Sequence, residues 1–297
     1  MTQPMLLVDG NNLLIRAVEG TRRAAMHSPD GTDTSALVAF TATLSRHIRQ
    51  LRPYKVVVLW DSTNELVPNW RKAVYPQYKA NRPTGPDDYR RASRQMVTEF
   101  LQLAQVPQLG VMGYEADDLI GAYWRAFKVP MTILSNDKDL LQLVGETPRG
   151  VQCDQIRISS ASTDTDHWTP ERVQEHYGCT PAQLPLVLSL WGDSSDNIPG
   201  VPQIGVKFAV KHLSAAGWDL DKVTHKGIQD HRAEIALYYR LVDLREPNSI
   251  LDRAITTPPP FMPTRPGPDK WWRDLHGFLS KHGMARTITR LASGELW

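Results

Sequence analysis

The chain's 297 residues suffice for one large domain or two ordinary ones with a substantial buried core, and 41% hydrophobic with 22% charged residues is the balance of a soluble globular protein. Apolar runs such as VVVLW at 56–60 are too short to cross a bilayer, so no membrane association is expected. The start MTQPMLLVDGNNLLIR has no signal-peptide pattern, and two cysteines, Cys153 and Cys179, are expected to make neither a disulfide framework nor a zinc site, which suits a reducing cytoplasm as the expected location.

In chain order, MLLVDG (5–10) is a short apolar run stopped by Asp-Gly, and TSALVAFTATLSRHIRQL (34–51) has helical spacing. KVVVLWD (55–61) is β-branched and too short for a helix, which predicts a buried parallel strand. The net charge of +2 hides a basic stretch from Arg71 to Arg94, opposed there only by Asp87 and Asp88. Such a run reads either as a solvated helix face or as a phosphate-tracking surface. DYRRASRQMVTEFLQLA (88–104) is amphipathic at helical period, EADDLIGAYWRAF (115–127) opens with acids as a helix N-terminus does, and VPMTILSND (129–137) is a third strand. Strands separated by helices imply βαβ units and a mainly parallel sheet flanked by helices.

Asp9, Asp61 and Asp137 each close one of these strands, and the carboxyl ends of parallel strands share the edge where ligands bind. Asp139 follows Asp137, while Glu115, Asp117 and Asp118 start the helix before the third strand. One aspartate at a strand end is usually a turn-former. So many together repel unless cations or protons neutralise them, and oxygen ligands without His or Cys indicate Mg2+ or Mn2+. Two or more such ions, about 3.5–4 Å apart, can activate a water for in-line phosphoryl displacement.

GDSSDNIPGVPQIGVK (192–207) adds Asp193 and Asp196, spaced to face one way on a helical turn, and then a Pro/Gly turn between two helical stretches. A helix–hairpin–helix offers backbone amides to a phosphate, with Lys207 as an added charge. Beyond residue 213, TTPPPFMPTRPGPDKWW (256–272) predicts an extended crossing and WWRDLHGFLSKHG (271–283) a closing helix, with Trp271 and Trp272 as core anchors.

LLVDGNN, VLWDS, YPQYKANRP, YEADDLIG, ILSNDKDLLQLV and GDSSDNIPGVPQIGVK occur in the order found in the 5′-nuclease family. That family comprises flap endonucleases and 5′→3′ exonucleases, including the nuclease domain of bacterial DNA polymerase I and free-standing phage enzymes. The chain resembles it over roughly residues 5–213.

The resemblance implies an α/β, PIN-like core at 1–180 with a helical arch at about 64–95. It implies a helix–hairpin–helix (H3TH) subdomain with C-terminal helices packing on the core at 181–297. Asp9, Asp61, Glu115 and Asp117 match the acids of a first metal. Asp137, Asp139, Asp193 and Asp196 match those of a second, with Asp117 shared and Asp118 supporting. Lys79 and Arg82 match the basic pair at the scissile phosphate.

DNA contacts are implied for Arg71, Gly200, Val201, Gln203, Gly205 and Lys207; Tyr75 and Tyr78 either stack on a terminal nucleotide or pack the arch. A potassium ion is implied near Gly200 to Gly205. GVKFA in place of the usual GEKTA puts Phe208 where a small hydroxyl residue is common. The expected substrates are DNA with free 5′ ends or flaps, and RNA primers on DNA. The expected setting is a monomer in replication or repair beside a polymerase or single-strand-binding protein. A PIN-type ribonuclease and a non-catalytic junction-binding protein are the rival readings.

Overall fold

The computed structural model describes residues 3–22, 25–62, 66–82, 87–158, 166–258, 270–294 and 297. The expected crossing at 256–272 falls largely outside these residues, as do 63–65 and 83–86 of the expected arch. Among the described residues seven strands form one mixed sheet: β1 (Met5–Asp9), β2 (Lys55–Trp60), β3 (Gln108–Gly110), β4 (Met131–Leu134), β5 (Gly145–Glu146), β6 (Gln152–Arg157) and β7 (Asp166–Trp168). Their order is β3-β2-β1-β4-β6-β5, with β7 on β6. The pairings β1–β2, β1–β4, β2–β3 and β4–β6 are parallel, while β5 and β7 add antiparallel edges.

β1 is buried along its whole length because both neighbours and both faces are covered. The period of two assigns its side chains. Leu6 and Val8, with Val56, Val58 and Trp60 of β2, enter one core. Met5, Leu7, Val57 and Leu59 enter the other. The first core is closed by α1 (Gly10–Thr21), α2 (Ser35–Leu51) and α4 (Asp88–Leu103); the short α3 (Trp70–Val74) precedes α4. The second is closed by α5 (Ala116–Ala126).

A third apolar cluster joins α6 (Pro170–Tyr177), α7 (Leu184–Trp191), α8 (Val206–Ala215), α9 (Lys226–Asp230) and α10 (Arg232–Val242). It takes Trp168, Val173 and Tyr177 from before residue 180, so the apolar packing crosses the boundary expected there. After α11 (Ser249–Ala254), α12 (Lys270–Lys281) and α13 (Ala285–Ala292) return to the first core. There Phe278 lies 6.5 Å from Phe100, and Trp271 and Trp272 pack partly buried.

The strand order reverses between β1 and β4: the chain fills one side through β2 and β3, then the other through β4 and β6. A crevice opens at such a switch point, outside the carboxyl ends of the strands. Asp9 ends β1, and Asp137 lies three residues beyond β4.

Candidate active site

A cleft of about 350 Å³ occupies that crevice. Of the nine predicted acids, Asp9, Asp61, Glu115, Asp117, Asp137, Asp193 and Asp196 line it. Asp9 caps α1, its Oδ1 accepting from the Asn12 amide at 3.0 Å and its Oδ2 from Ser135 Oγ at 2.8 Å. Asp61 Oδ1 accepts from the Ala116 amide at 2.9 Å, tying the end of β2 to the start of α5. Asp137 Oδ1 accepts from the Asp139 amide at 2.9 Å. Asp193 and Ile198 exchange both backbone hydrogen bonds at 2.8 Å, which fastens an acid of the cleft directly to the hairpin.

Cations of the chain already stand among the acids. Lys79 Nζ lies 2.5 Å from Glu115 Oε1 and 3.7 Å from Asp196 Oδ2. Arg82 Nη2 lies 2.9 Å from Asp196 Oδ1. Lys138, between the two acids of the DKD triplet, bonds Asp193 Oδ2 and lies 3.5 Å from Asp139 Oδ1. Its sequence signal is that setting between two acids.

Arg71 departs from its expected role as a DNA contact. It is 1% exposed, and its guanidinium reaches Glu115 Oε2 at 3.2 Å, Asp117 Oδ2 at 3.2 Å, Asp118 Oδ2 at 2.9 Å and the Leu241 carbonyl at 2.8 Å. It is an internal counter-ion that no DNA phosphate reaches. Asp118, expected in support of the metal acids, sits behind the cleft: one oxygen takes Arg71 at 2.9 Å, Trp70 Nε1 at 3.1 Å and the Glu115 amide at 3.0 Å.

Tyr78 is also buried, with its hydroxyl 2.7 Å from both Glu115 Oε2 and Asp196 Oδ2, so it does not stack on a nucleotide. Tyr75 packs edge-on against Tyr238, with centroids 6.0 Å apart. The basic stretch is therefore not one solvated face. Arg71, Lys79 and Arg82 turn into the acids, Arg94 donates to the Asp61 carbonyl at 2.8 Å, and Arg91 pairs with Asp88 on the surface.

At the hairpin, Val201 is buried and its amide donates to the Leu190 carbonyl at 2.8 Å, which removes it from the DNA contacts. Gly200 is buried at φ +67°, and a Cβ there would lie 2.5 Å from the Trp191 carbonyl carbon, so its role is to let the turn close. Gln203, Gly205 and Lys207 stay exposed beside the N-terminus of α8, which has no side-chain cap.

Among the described residues no three carboxylates are already set as a metal cage. The donor set nevertheless fits hard divalent ions. Of the nine carboxylates six are ion-paired, with Arg71, Lys79, Arg82 and Lys138; among the described residues Asp9, Asp61 and Asp137 form no ion pair, all ligand atoms are oxygens, and Asp139 Oδ1 is buried without a hydrogen bond. Burial, then the Asp61 charge, pushes Asp9 up to about 7; burial, then Asp137, pushes Asp139 up to about 8. Burial also raises Asp61, Asp117 and Asp137. Glu115 goes the other way: burial opposes its charge, but Lys79 and Arg71 hold it at about 2.

An acid-lined switch-point cleft joined to a helix–hairpin–helix defines a class of α/β, PIN-like nuclease folds. The model of the 5′-3′ exonuclease, N-terminal resolvase-like domain matches residues 4–178, and the chain belongs to that family. It is 32% identical over 218 residues to DNA polymerase I of Mycobacterium tuberculosis, covering 72% of this chain and 23% of that protein. The chain thus spans about a quarter of the length of the curated relatives it matches. Among solved structures it resembles phage T5 5′-exonuclease with bound zinc, at TM-score 0.64 and 20% identity over 82% of this chain and 89% of that one. It also resembles human GEN1 in complex with Holliday junction DNA, at TM-score 0.60 and 15% identity over 97% and 71%.

Proposed function

We propose that the chain is a metal-dependent 5′ nuclease that hydrolyses DNA phosphodiesters at or near a free 5′ end, as exonuclease and flap endonuclease. The observation that carries this reading is the direct join between the acid cleft and the hairpin at Asp193. A small-substrate hydrolase needs no such join. Asp9, Asp61, Glu115 and Asp117 would hold one Mg2+ or Mn2+, and Asp137, Asp139, Asp193 and Asp196 a second, with Asp117 shared. Bound divalent ions supply Lewis-acid activation of water and neutralise charge on the phosphate.

The residues of the chain position the strand. Gln203, Gly205, Lys207 and the first amides of α8 grip duplex phosphates, contacts that carry no base information. We place the potassium ion at the Gly200–Gly205 turn. Arg82, at the rim with a half-exposed side chain, draws the strand toward the cleft. Lys79 exchanges Glu115 for the scissile phosphate once the acids have other cations. The bound zinc of the T5 enzyme and the Holliday junction held by GEN1 support the metal and DNA parts of this reading. The DNA polymerase I likeness supports replication or repair as the process, with flaps and RNA primers as substrates and a polymerase or single-strand-binding protein alongside a monomer.

The test uses internally labelled 5′-flap DNA, blunt duplex and RNA, each in magnesium, manganese or EDTA. Metal-dependent release of an intact flap, or of mononucleotides from both DNAs, is expected. The Asp137→Asn/Asp139→Asn double variant should cleave nothing while binding DNA at least as well. Firm junction binding without product in any metal would instead define a binding protein, and cleavage of RNA alone a PIN-type ribonuclease.

A further inference from the structure

Beside the catalytic cleft lies a second cavity of about 450 Å³. The two share Lys138 and Asp193 as a common wall. The floor of the second cavity includes Trp191, the last residue of α7. Leu184, Pro185 and Val187 to Leu190 of that helix are buried, yet Trp191 is 38% exposed. A tryptophan left partly in water at the mouth of a polar cleft forgoes part of the burial its size would reward. Two glycines fix it there. A Cβ on Gly192 would meet the Ile198 carbonyl oxygen at 2.5 Å, and one on Gly200 would meet the Trp191 carbonyl carbon at 2.5 Å.

Two carboxamides complete the cavity. Asn81 Nδ2 donates to the Ser194 carbonyl at 2.6 Å, and Asn197 Nδ2 to the Gln77 carbonyl at 2.7 Å. Both side chains are thereby held, and among the described residues neither amide oxygen has a partner, so each can accept from an N–H edge. Asn81 lies two residues from Lys79 and beside Arg82, so a strand led past those cations meets this cavity next. Tyr75 and Tyr78, the aromatics that the sequence offered for stacking, are occupied in packing.

We infer that this cavity receives one unpaired nucleobase, that of a nucleotide flanking the scissile phosphate, stacked on Trp191 and edge-bonded by Asn81 and Asn197. A volume near the lower part of the range for small-ligand pockets, roughly 300–1,000 Å³, has room for a base, and only a base drawn out of the helical stack can lay its face on Trp191. Every base has a π-face, so the subsite selects an unpaired base without selecting a sequence. It also gives the cleft a way to prefer a frayed or single-stranded junction over continuous duplex. Lys138 Nζ, bonded to Asp193, lies over the Trp191 ring at 5.7 Å from its centre and borders the cavity on the side of the acid cleft. The inference rests on the nuclease reading of the neighbouring cleft, and the experiment keeps the two apart.

Binding of fluorescent 5′-flap DNA is measured by anisotropy in calcium, a larger ion in place of magnesium. The substrates are intact or abasic at each nucleotide flanking the cleavage point. The wild-type chain should lose about tenfold in affinity for one of the two abasic substrates, the size of one base–aromatic stack. Trp191→Ala should bind intact flap about tenfold more weakly and no longer distinguish it from that abasic substrate. Trp191→Phe should restore most of the difference. An undiminished abasic penalty in Trp191→Ala, or a wild type indifferent at both positions, overturns the subsite. Cleavage of the same DNAs in magnesium is scored separately. Base-dependent binding with no cleavage leaves the subsite standing and removes the nuclease reading, whereas cleavage without base dependence does the reverse.

Discussion

At the scale of single residues, the site is a balance of charges inside the fold. Arg71 carries most of it, because Glu115, Asp117 and Asp118 all lean on one buried guanidinium. Removing one partner of a buried pair strands the others, at about 3–5 kcal/mol. Arg71→Met should therefore lower unfolding free energy in urea by about that amount, far more than Arg91→Met, whose partner Asp88 is exposed. Equal stabilities of the two variants would contradict the counter-ion role. Lys79 makes the opposite case under the proposed function, being a cation whose partners Glu115 and Asp196 are assigned to the metals. Lys79→Ala should cut turnover on flap DNA by tenfold or more, roughly the loss of one charge-assisted contact, with a much smaller change in Kd. A loss confined to affinity would demote it to an ordinary phosphate contact. The sequence placed Arg71 and Lys79 in one basic run because charge spacing does not say which side chains turn inward. The available clue was the acid surplus itself, since that many carboxylates at one strand edge require cations from the chain as well as from solution.

At the scale of elements, what was legible followed periodicity. The strands ending near Asp9, Asp61 and Asp137 appear at β1, β2 and β4, within a few residues of where β-branched runs placed them. The predicted helices at 34–51, 88–104 and 115–127 appear as α2, α4 and α5. The short strands β3, β5 and β7 were not legible, because two or three residues carry no period and their pairing is decided by the neighbouring strand. Of the arch expected at about 64–95, the described residues carry the five-residue α3, turns from which Lys79 and Arg82 enter the cleft, and the first turns of α4.

The hairpin was legible for a specific reason, namely that two of its glycines, Gly192 and Gly200, mark backbone with no room for a side chain. Gly192 sits at φ +83° with the Ile198 carbonyl oxygen 2.5 Å from where a Cβ would stand, while Gly205 sits at φ −93° with nothing within 4 Å. Gly192→Ala should thus destabilise the protein by more than the roughly 1–2 kcal/mol of a left-handed residue and displace Asp193, abolishing cleavage. Gly205→Ala should leave the urea midpoint nearly unchanged. Similar midpoints for both variants would show that the loop relaxes around the new methyl group.

At the scale of the whole molecule, the acid cleft links folding, protons and divalent ions. Asp9, raised to about 7, and Asp139, raised to about 8, keep their protons in the folded chain and lose them at ordinary carboxyl values when it unfolds. Folding therefore takes up protons between about pH 4 and 8. The stability these two groups contribute is complete below the unfolded carboxyl range and is lost as pH rises through 7 and 8. Glu115, held at about 2, has the opposite sign: its contribution is complete above about pH 4.3 and fades only as pH falls toward 2. Between pH 5.5 and 8.5 the carboxyls alone should then make the melting temperature in EDTA decline. Divalent ions do for the deprotonated acids what protons did, so the rise in melting temperature on adding magnesium should grow across the same interval. In Asp137→Asn/Asp139→Asn the magnesium increment should shrink sharply at every pH, because two of the proposed oxygen ligands are no longer anionic. A flat profile in EDTA, with a magnesium increment independent of pH, would separate the cleft's charge from the stability of the fold. The declining profile would instead mean that the chain is built to fold around cations it does not itself supply.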